Sequence, residues 1–240
     1  MTTFLLIASF PESILTFRGP LIDALLAQGL TVHVAAPDLP AGSALRGQLE
    51  SRGVRVHDLP LRRTGTSPLA DLALLYHLWR LMRRVRPQIV LGYTIKPVIY
   101  GALAAWLARV PQRYALITGL GYAFQGEARW NGLRELARRL YALALRRVHK
   151  VFFQNPDDQA LFRTRGILGV GTPSVVVNGS GVDLAHYAAT PLPPGPPCFL
   201  LIARLLDAKG VRLYAQAAEQ VRARCPPARF RLVGWIDANP

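Results

Sequence analysis

Short apolar runs alternate with longer amphipathic stretches along most of the chain. The first run, Phe4–Ala8, is brief and uncharged, which is typical of a buried strand. The stretch Leu21–Gly29 carries leucine and isoleucine at helical spacing and ends in glycine, a common helix terminator. The alternation predicts a doubly wound, parallel α/β sheet. The predicted strands read FLLIA, TVHVAA, VRVHDL, QIVLGY, RYALIT, VFFQN and SVVVN.

The alternation is interrupted once, by the proline-rich stretch ATPLPPGPPC. It cannot continue a helix or a central strand, so residues 189–197 are predicted to be a semi-rigid linker. Residues 1–188 before it form one predicted domain. Residues 198–240 contain one further strand-helix-strand unit, from CFLLIA to RFRLVG. One such unit cannot bury both faces of its sheet, so we expect it to be the start of an incomplete second domain of the same class.

Composition adds a strong charge signal. The net charge is +15, which favours a polyanionic partner such as nucleic acid, an anionic membrane or a phosphorylated substrate. The N-terminus MTTFLLIASFPES has no basic segment before its short apolar run, so it is interpreted as a strand and not a signal peptide. The only two cysteines, Cys198 and Cys225, lack the spacing of a metal site or a disulfide framework, which suits the cytoplasm.

Two cations follow the first strand of the second predicted domain. Arg204 ends the segment FLLIAR, and Lys209 precedes Gly210 at the start of the next helix. In open α/β sheets ligands bind at this strand end, and a helix N-terminus attracts anions. Arginine and lysine together suit a diphosphate. A solvated basic surface explains the same residues, and position alone leaves both interpretations open.

The segment LLIARLLDAKGV resembles the donor-diphosphate motif of retaining family 4 glycosyltransferases, which have the GT-B fold. In that family, Arg and Lys at this spacing hold the diphosphate of the nucleotide sugar. Other stretches resemble the family in the same order along the chain, and one of them is similar to a subgroup that elongates polyprenyl-diphosphate-linked sugars. The stretch similar to the subgroup is YTIKPVIYGALAAWLARVPQRYALITGLGYAF. The other stretches are SFPESILTFRGPLIDALLAQGLTVHVAAP, VFFQNPDDQALF, VVVNGSGVDLAHY and FRLVGWIDANP.

The resemblance implies a function. It implies transfer of a hexose or N-acetylhexosamine from a UDP-sugar to a polyprenyl-diphosphate-linked acceptor, with retention, in the synthesis of cell-surface polysaccharide or glycan. Arg204 and Lys209 would bind the donor diphosphate. No cofactor besides the UDP-sugar substrate is implied.

The chain departs from the family in two places. The family's paired glutamates, E-x7-E, lie late in the donor domain, and this chain ends before that region, so no catalytic residue is assigned. We expect the chain alone to be a poor catalyst or inactive. Many members also carry a histidine after the strand equivalent to RYALIT. Here the residues are Thr118-Gly119-Leu120-Gly121, as in the polyprenyl-linked subgroup.

Gly19 is placed in the first loop, directly before a helix that Pro20 begins. There its missing Cβ would let the donor phosphate approach the backbone, or it would serve only as a turn. Lys96 is placed at a strand end facing the cleft, where it would contact the acceptor diphosphate or cap a loop. The acceptor side of the cleft is expected to comprise Arg18, Lys96, Thr118, Gly119 and Gly121.

The glycines of GLGYAFQG do not indicate a dinucleotide site, because their spacing is G-x-G-x4-G and no acidic residue follows at the ribose position. They are interpreted as a cleft loop. The five histidines show no metal-ligand spacing, so no metal is expected.

Arginines and apolar residues interleave in RWNGLRELARRLYALALRRVHK and in YHLWRLMRRVRP. Such helices lie on anionic lipid or simply face solvent with their charged side. With a lipid-linked acceptor implied, we expect a cytoplasmic protein, peripheral at the inner face of the membrane. The main alternative is a non-catalytic basic α/β module that binds an anionic membrane or a partner chain supplying the missing C-terminal half. Nucleic acid is not an expected partner, because no nucleic-acid-binding motif accompanies the charge.

Overall fold

A computed structural model describes residues 1–62, 67–119 and 131–235. The chain forms two compact units, Met1–Gly181 and Val182–Pro240, which are described separately. The sequence interpretation put the end of the first domain at residue 188. The structural division falls closer to the last strand of the first unit.

The first unit contains a seven-stranded sheet in the order β3-β2-β1-β4-β5-β6-β7, and every neighbouring pair is parallel. This confirms the predicted doubly wound α/β architecture. The strands are β1 Thr3–Ile7, β2 Thr31–Ala36, β3 Arg55–Asp58, β4 Ile89–Tyr93, β5 Gln112–Ile117, β6 Lys150–Phe153 and β7 Ser174–Val176.

Six helices cover the two faces of this sheet. They are α1 Glu12–Ala27, α2 Ala44–Ser51, α3 Pro68–Val85, α4 Ile95–Leu107, α5 Asn131–Leu145 and α6 Pro156–Thr164. Alternate residues of β1 point to opposite faces: Leu6 packs with α1 and α2, and Leu5 packs with α3 and α4. The remaining helices, α5 and α6, pack on the α3–α4 side against β5 and β6. All parallel strands therefore present their carboxyl ends at one edge of the unit.

Local capping signals fix some helix starts. The Ser67 hydroxyl accepts a hydrogen bond from the Ala70 amide at 3.4 Å, with Pro68 at the first helical position. Asn155 accepts from the Asp158 amide at 2.7 Å in the same way. At both starts the capping residue is followed directly by proline.

The predicted start of α1 is wrong. The helix begins at Glu12, so Gly19 and Pro20 lie inside it and not at its beginning. Ile14 and Ile22, two turns apart on one face, are both completely buried. Their burial against the sheet holds the helix through a Gly-Pro pair that would otherwise interrupt it, because packing supplies most helix stability in proteins.

The second unit is the predicted strand-helix-strand element. β8 (Cys198–Ile202) and β9 (Arg229–Val233) pair in parallel, and α7 (Val211–Arg224) connects them. The rings of Phe199 and Phe230 stack at 5.0 Å between centroids, and the Tyr214 hydroxyl lies 3.0 Å from the Phe199 carbonyl oxygen. Both strands stay largely exposed, with Ile202 at 71%.

Candidate functional site

Hydroxyl side chains gather at the carboxyl edge of the first sheet. Ser9 follows β1, and its Oγ lies 2.6 Å from the Thr94 Oγ1 directly after β4. In the first turn of α1, the Ser13 hydroxyl lies 2.8 Å from the Tyr93 hydroxyl. Tyr93 is 2% exposed, and burial raises its pKa. These contacts tie the ends of β1 and β4 together where ligands bind in open α/β sheets.

Thr94 holds an unusual backbone conformation, with φ of 69° and ψ of 165°. Positive φ is unfavourable for a β-branched residue, and such strain concentrates at functional sites. Thr94 is the N-cap of α4, yet its side chain caps no α4 amide and bonds to Ser9 instead. Sequence reasoning missed Thr94, because its φ is set by the turn between β4 and α4.

Arg18 is buried within α1, at 6% exposure. It falls between Ile14 and Ile22 on the helix face that packs against the sheet. Its guanidinium lies over the Tyr93 ring, 5.0 Å from the ring centroid. Burial lowers the pKa of this guanidinium from its ordinary value. The structure therefore places Arg18 beside the strand-end hydroxyls.

Gly19 does not occupy the first loop, contrary to the sequence prediction. It lies inside α1, where a Cβ would be 3.7 Å from an Arg52 guanidinium nitrogen. Arg52 itself pairs with Asp23, further along α1. Because α1 runs back along the sheet from its carboxyl edge, Gly19 sits well down the helix and not at the strand ends.

Lys96 is already paired. Its ammonium lies 2.8 Å from an Asp71 oxygen of α3, and the two side chains are 16% and 17% exposed. The Tyr100 hydroxyl donates to the other Asp71 oxygen at 2.9 Å, and burial together with Asp71 raises the pKa of Tyr100. Lys96 thus follows the end of β4, as expected, but it lies in the first turn of α4 and its charge is directed to Asp71 of α3.

Thr118 and Gly119 follow β5 directly and are half-buried. Gly119 has φ of 147°, a conformation that favours glycine. Gly121 and the aromatic residues of the predicted cleft loop lie outside the described residues. Thr118 and Gly119 therefore share the carboxyl edge of the sheet with Ser9 and Thr94.

In the second unit, Arg204 and Lys209 lie in the turn between β8 and α7. Arg204 comes two residues after β8 and is half-buried, and Lys209 is exposed at the end of a short 3-10 turn, Asp207–Lys209. Gly210 has φ of 74° and caps α7. The first amide groups of α7 have no acceptor within the helix. Two cations thus flank a helix N-terminus, as the sequence predicted.

The turn that carries Arg204 is held by a close backbone contact. A Cβ at Gly234 would lie 1.8 Å from the Ala203 carbonyl oxygen, so only glycine fits there. The Leu205 amide donates to the Trp235 carbonyl at 3.0 Å. The loop after β9 thereby fixes the loop after β8. Gly234 was missed by the sequence analysis, since its partner lies 31 residues earlier in the chain.

Two kinds of feature, a metal-binding cluster and a membrane-spanning helix, are absent from the part of the chain that the structure describes. No three side chains among its histidines, cysteines and acids form a group able to hold a metal ion. None of its helices has the length and apolar character needed to cross a bilayer.

The sequence is similar to a glycosyltransferase family and to one bacterial N-acetylgalactosaminyltransferase. A family model described as glycosyl transferase 4-like matches residues 5–155. The chain is 27% identical over 243 residues to the Campylobacter jejuni N,N'-diacetylbacillosaminyl-diphospho-undecaprenol alpha-1,3-N-acetylgalactosaminyltransferase. The match covers 95% of this chain but 62% of that enzyme, so the chain spans less than two thirds of this relative.

Solved structures share the fold at low sequence identity. Sucrose-phosphate synthase from Thermosynechococcus elongatus has a TM-score of 0.70 at 16% identity, over 100% of this chain and 64% of that one. The S. aureus MnaA-UDP co-structure has a TM-score of 0.61 at 17% identity, and the match covers 100% of this chain and 63% of that one. Acinetobacter baumannii MurG has a TM-score of 0.55 at 16% identity, and the match covers 99% of this chain and 67% of that one. These likenesses agree with the predicted GT-B type of fold. Since the family model matches more than half of the residues, the chain belongs to the glycosyl transferase 4-like family.

Proposed function

We propose that this chain is the acceptor-side domain and the beginning of the donor domain of a retaining glycosyltransferase. The enzyme would move a hexose or N-acetylhexosamine from a UDP-sugar to a polyprenyl-diphosphate-linked acceptor. The Campylobacter jejuni relative is an N-acetylgalactosaminyltransferase for a diphospho-undecaprenol-linked sugar, which supports this substrate class. The observation that carries the proposal is the position of Arg204 and Lys209 at the N-terminus of α7.

The chemistry of the donor half follows from that position. When the glycosidic bond to UDP breaks, negative charge develops on the departing diphosphate. Arg204 and Lys209 would neutralise this charge, and the free amides of the first turn of α7 would add hydrogen bonds. The donor half needs no metal ion in this scheme, since the protein supplies the positive charge.

The acceptor half would use the carboxyl edge of the first unit. Thr118 and Gly119 follow β5 there, and Arg18 lies beneath the neighbouring strand ends. Gly121 belongs to the same proposed cleft by sequence. Lys96 is a weaker member of the acceptor group, because Asp71 already balances its charge. Gly19 is not part of this proposal, since it lies inside α1.

UDP binding tests the proposal. Titration calorimetry is expected to detect UDP binding to the purified chain. The double variant Arg204→Ala/Lys209→Ala is expected to bind UDP at least about tenfold more weakly, because two charge-assisted contacts to the diphosphate are lost.

The matched control is Arg222→Ala/Arg224→Ala, which removes two cations from the last turn of the same helix. It is expected to bind UDP like the parent. Equal weakening in both double variants would mean that UDP responds only to overall charge. A folded parent chain that does not bind UDP at all would contradict the donor half of the proposal.

A lipid-linked acceptor also needs a surface that meets the membrane, and α5 offers one. Leu136 and Leu143 are 51% and 44% exposed, Arg139 lies on the same stripe of the helix, and Arg146 follows its last residue. Beside them, the Arg147 guanidinium lies 4.3 Å from the ring centroid of Trp106. Exposed leucines among arginines are typical of a helix that lies on anionic lipid. We therefore assign peripheral binding at the inner membrane face to this surface.

Vesicle co-sedimentation tests the membrane surface. With vesicles of phosphatidylcholine and phosphatidylglycerol, Leu136→Gln/Leu143→Gln is expected to lower partitioning about fivefold, because less apolar area is buried in lipid. Leu69→Gln/Leu72→Gln removes two leucines of α3 that are even more exposed, and it is expected to leave partitioning unchanged. If the two double variants lose partitioning equally, or if neither loses any, the assignment of the membrane surface to α5 is contradicted.

A further inference from the structure

Arg18 is a buried cation without a buried anion. Only 6% of it is exposed, and no carboxylate lies within ion-pair distance of it among the described residues. Buried charges in proteins are normally paired or ligated, because their removal from water is costly. Its guanidinium lies over the π face of Tyr93, which is a weaker partner for a charge than a carboxylate.

The hydrogen bonds of Arg18 use only one side of its guanidinium. Nη1 donates to the Phe17 carbonyl oxygen at 3.1 Å and to the Ser180 hydroxyl oxygen at 2.9 Å. Nε is buried and has no partner, and Nη2 donates to none of the described residues. Nε and Nη2 form the edge of a guanidinium that binds two oxygens of one anion side by side. This edge of Arg18 is therefore the part that has no hydrogen-bond partner among the described residues.

The surroundings of Arg18 are polar, neutral and fixed. Ser180, which follows β7, also accepts from the Gln154 side chain at 3.2 Å, and Gln154 follows β6. Tyr93 ends β4, and its hydroxyl is bonded to Ser13. Arg18 therefore contacts groups that follow or end two strands, β4 and β7, while β6 supports Ser180 through Gln154. No acidic residue takes part in any of these contacts, so none would repel an anion there. A guanidinium held this rigidly loses little freedom when it binds a ligand.

We propose that the Nε–Nη2 edge of Arg18 binds a phosphate or diphosphate group at the carboxyl edge of the first unit, as a site distinct from Arg204 and Lys209. Two sources share this chemistry, the diphosphate of a polyprenyl-linked acceptor and the diphosphate of UDP. Naming these two sources rests on the function proposed above. The anion site itself rests on the geometry of Arg18.

Pyrophosphate is the probe for the site. The background is the Arg204→Ala/Lys209→Ala variant, which removes the other proposed diphosphate site. Calorimetry in that background is expected to show pyrophosphate binding that Arg18→Met weakens at least about tenfold. Ser180→Ala keeps the guanidinium and removes only one hydrogen bond to a neutral group. Its affinity for pyrophosphate is therefore expected to stay within about threefold of that of the background variant.

Arg113 supplies the matched control. It is also partly buried, and its Nε and Nη1 donate to the carbonyl oxygens of Arg147 and Val110. It lies at the start of β5, at the opposite edge of the sheet from Arg18. Arg113→Met removes the same charge and is expected to leave pyrophosphate binding unchanged. If Arg18→Met binds pyrophosphate as tightly as Arg113→Met does, Arg18 serves only to hold Ser180 against α1 and the proposal is overturned.

A measurement on the unsubstituted side chain covers the case in which Arg18→Met does not fold. In a chain labelled with ¹⁵N-arginine, the Nε–Hε resonance of Arg18 is expected to shift in a saturable way with pyrophosphate. An unchanged resonance at saturating pyrophosphate would overturn the proposal. Farnesyl diphosphate and UDP, titrated separately, then identify the source by which of them shifts the Arg18 resonance. Failure of UDP to bind at Arg204 and Lys209 leaves these results unaffected.

Discussion

Replacing Gly92 by alanine is expected to lower the free energy of unfolding by about 3 kcal/mol, because the added methyl group overpacks a rigid contact. Gly92 lies in β4, and a Cβ built on it would be 2.6 Å from the Pro97 carbonyl oxygen of α4. The obstructing atom belongs to helix backbone, so no side chain can rotate away. Either α4 must move off the sheet or β4 must distort.

Thermal or urea unfolding measures this effect. For a chain of this size a loss of about 3 kcal/mol corresponds to a fall in melting temperature of about 6 to 12 °C. The matched control is Gly47→Ala in the middle of α2, where a Cβ meets nothing within 4 Å. That change is expected to stabilise the chain by about 0.5 to 1 kcal/mol, since glycine is a poor helix former. If both variants had similar stability, the close approach of α4 to β4 would be wrong.

The tight β4–α4 junction also explains the position of the hydroxyl cluster. Because α4 begins only two residues after β4, Thr94 must turn the chain with positive φ, and its side chain is directed to Ser9. The contact between Gly92 and Pro97 therefore sets the edge at which we propose the acceptor binds. A variant that shifts α4 is expected to disturb this edge as well as stability.

The strands and the donor turn were predictable because their signals are local. Most strands are short apolar runs, and β2 matches its predicted bounds residue for residue. Arg204 and Lys209 lie in one continuous segment, so their placement needed only the end of β8 and the start of α7. The sequence therefore predicted both the architecture and the turn that carries the proposed donor contacts.

The start of α1 and the environments of Arg18 and Lys96 were not predictable, because they depend on distant parts of the chain. Gly19 and Pro20 are local helix breakers, and only the burial of residues on both sides overrides them. Arg18 meets Ser180, which lies 162 residues later. No periodicity or spacing in either segment reports such a contact.

Asp71→Ala is expected to lower the free energy of unfolding by about 2 to 3 kcal/mol, because it leaves the poorly solvated Lys96 ammonium without its counter-charge. The substitution also removes the acceptor of the Tyr100 hydroxyl. Urea unfolding measures the loss, with an unchanged denaturant slope as the sign that the folded state is otherwise intact.

The control for Asp71→Ala is Asp23→Ala, which breaks the ion pair with Arg52. The Arg52 and Asp23 side chains are 43% and 55% exposed. Exposed pairs contribute little, so this loss is expected to stay below about 1 kcal/mol. The comparison also bears on the acceptor site. If Asp71→Ala costs no more than Asp23→Ala, the Lys96 ammonium is well solvated and free to turn toward a diphosphate. A clearly larger loss for Asp71→Ala means that Lys96 is committed to α3, which leaves Arg18 as the better of these two cations to meet the acceptor.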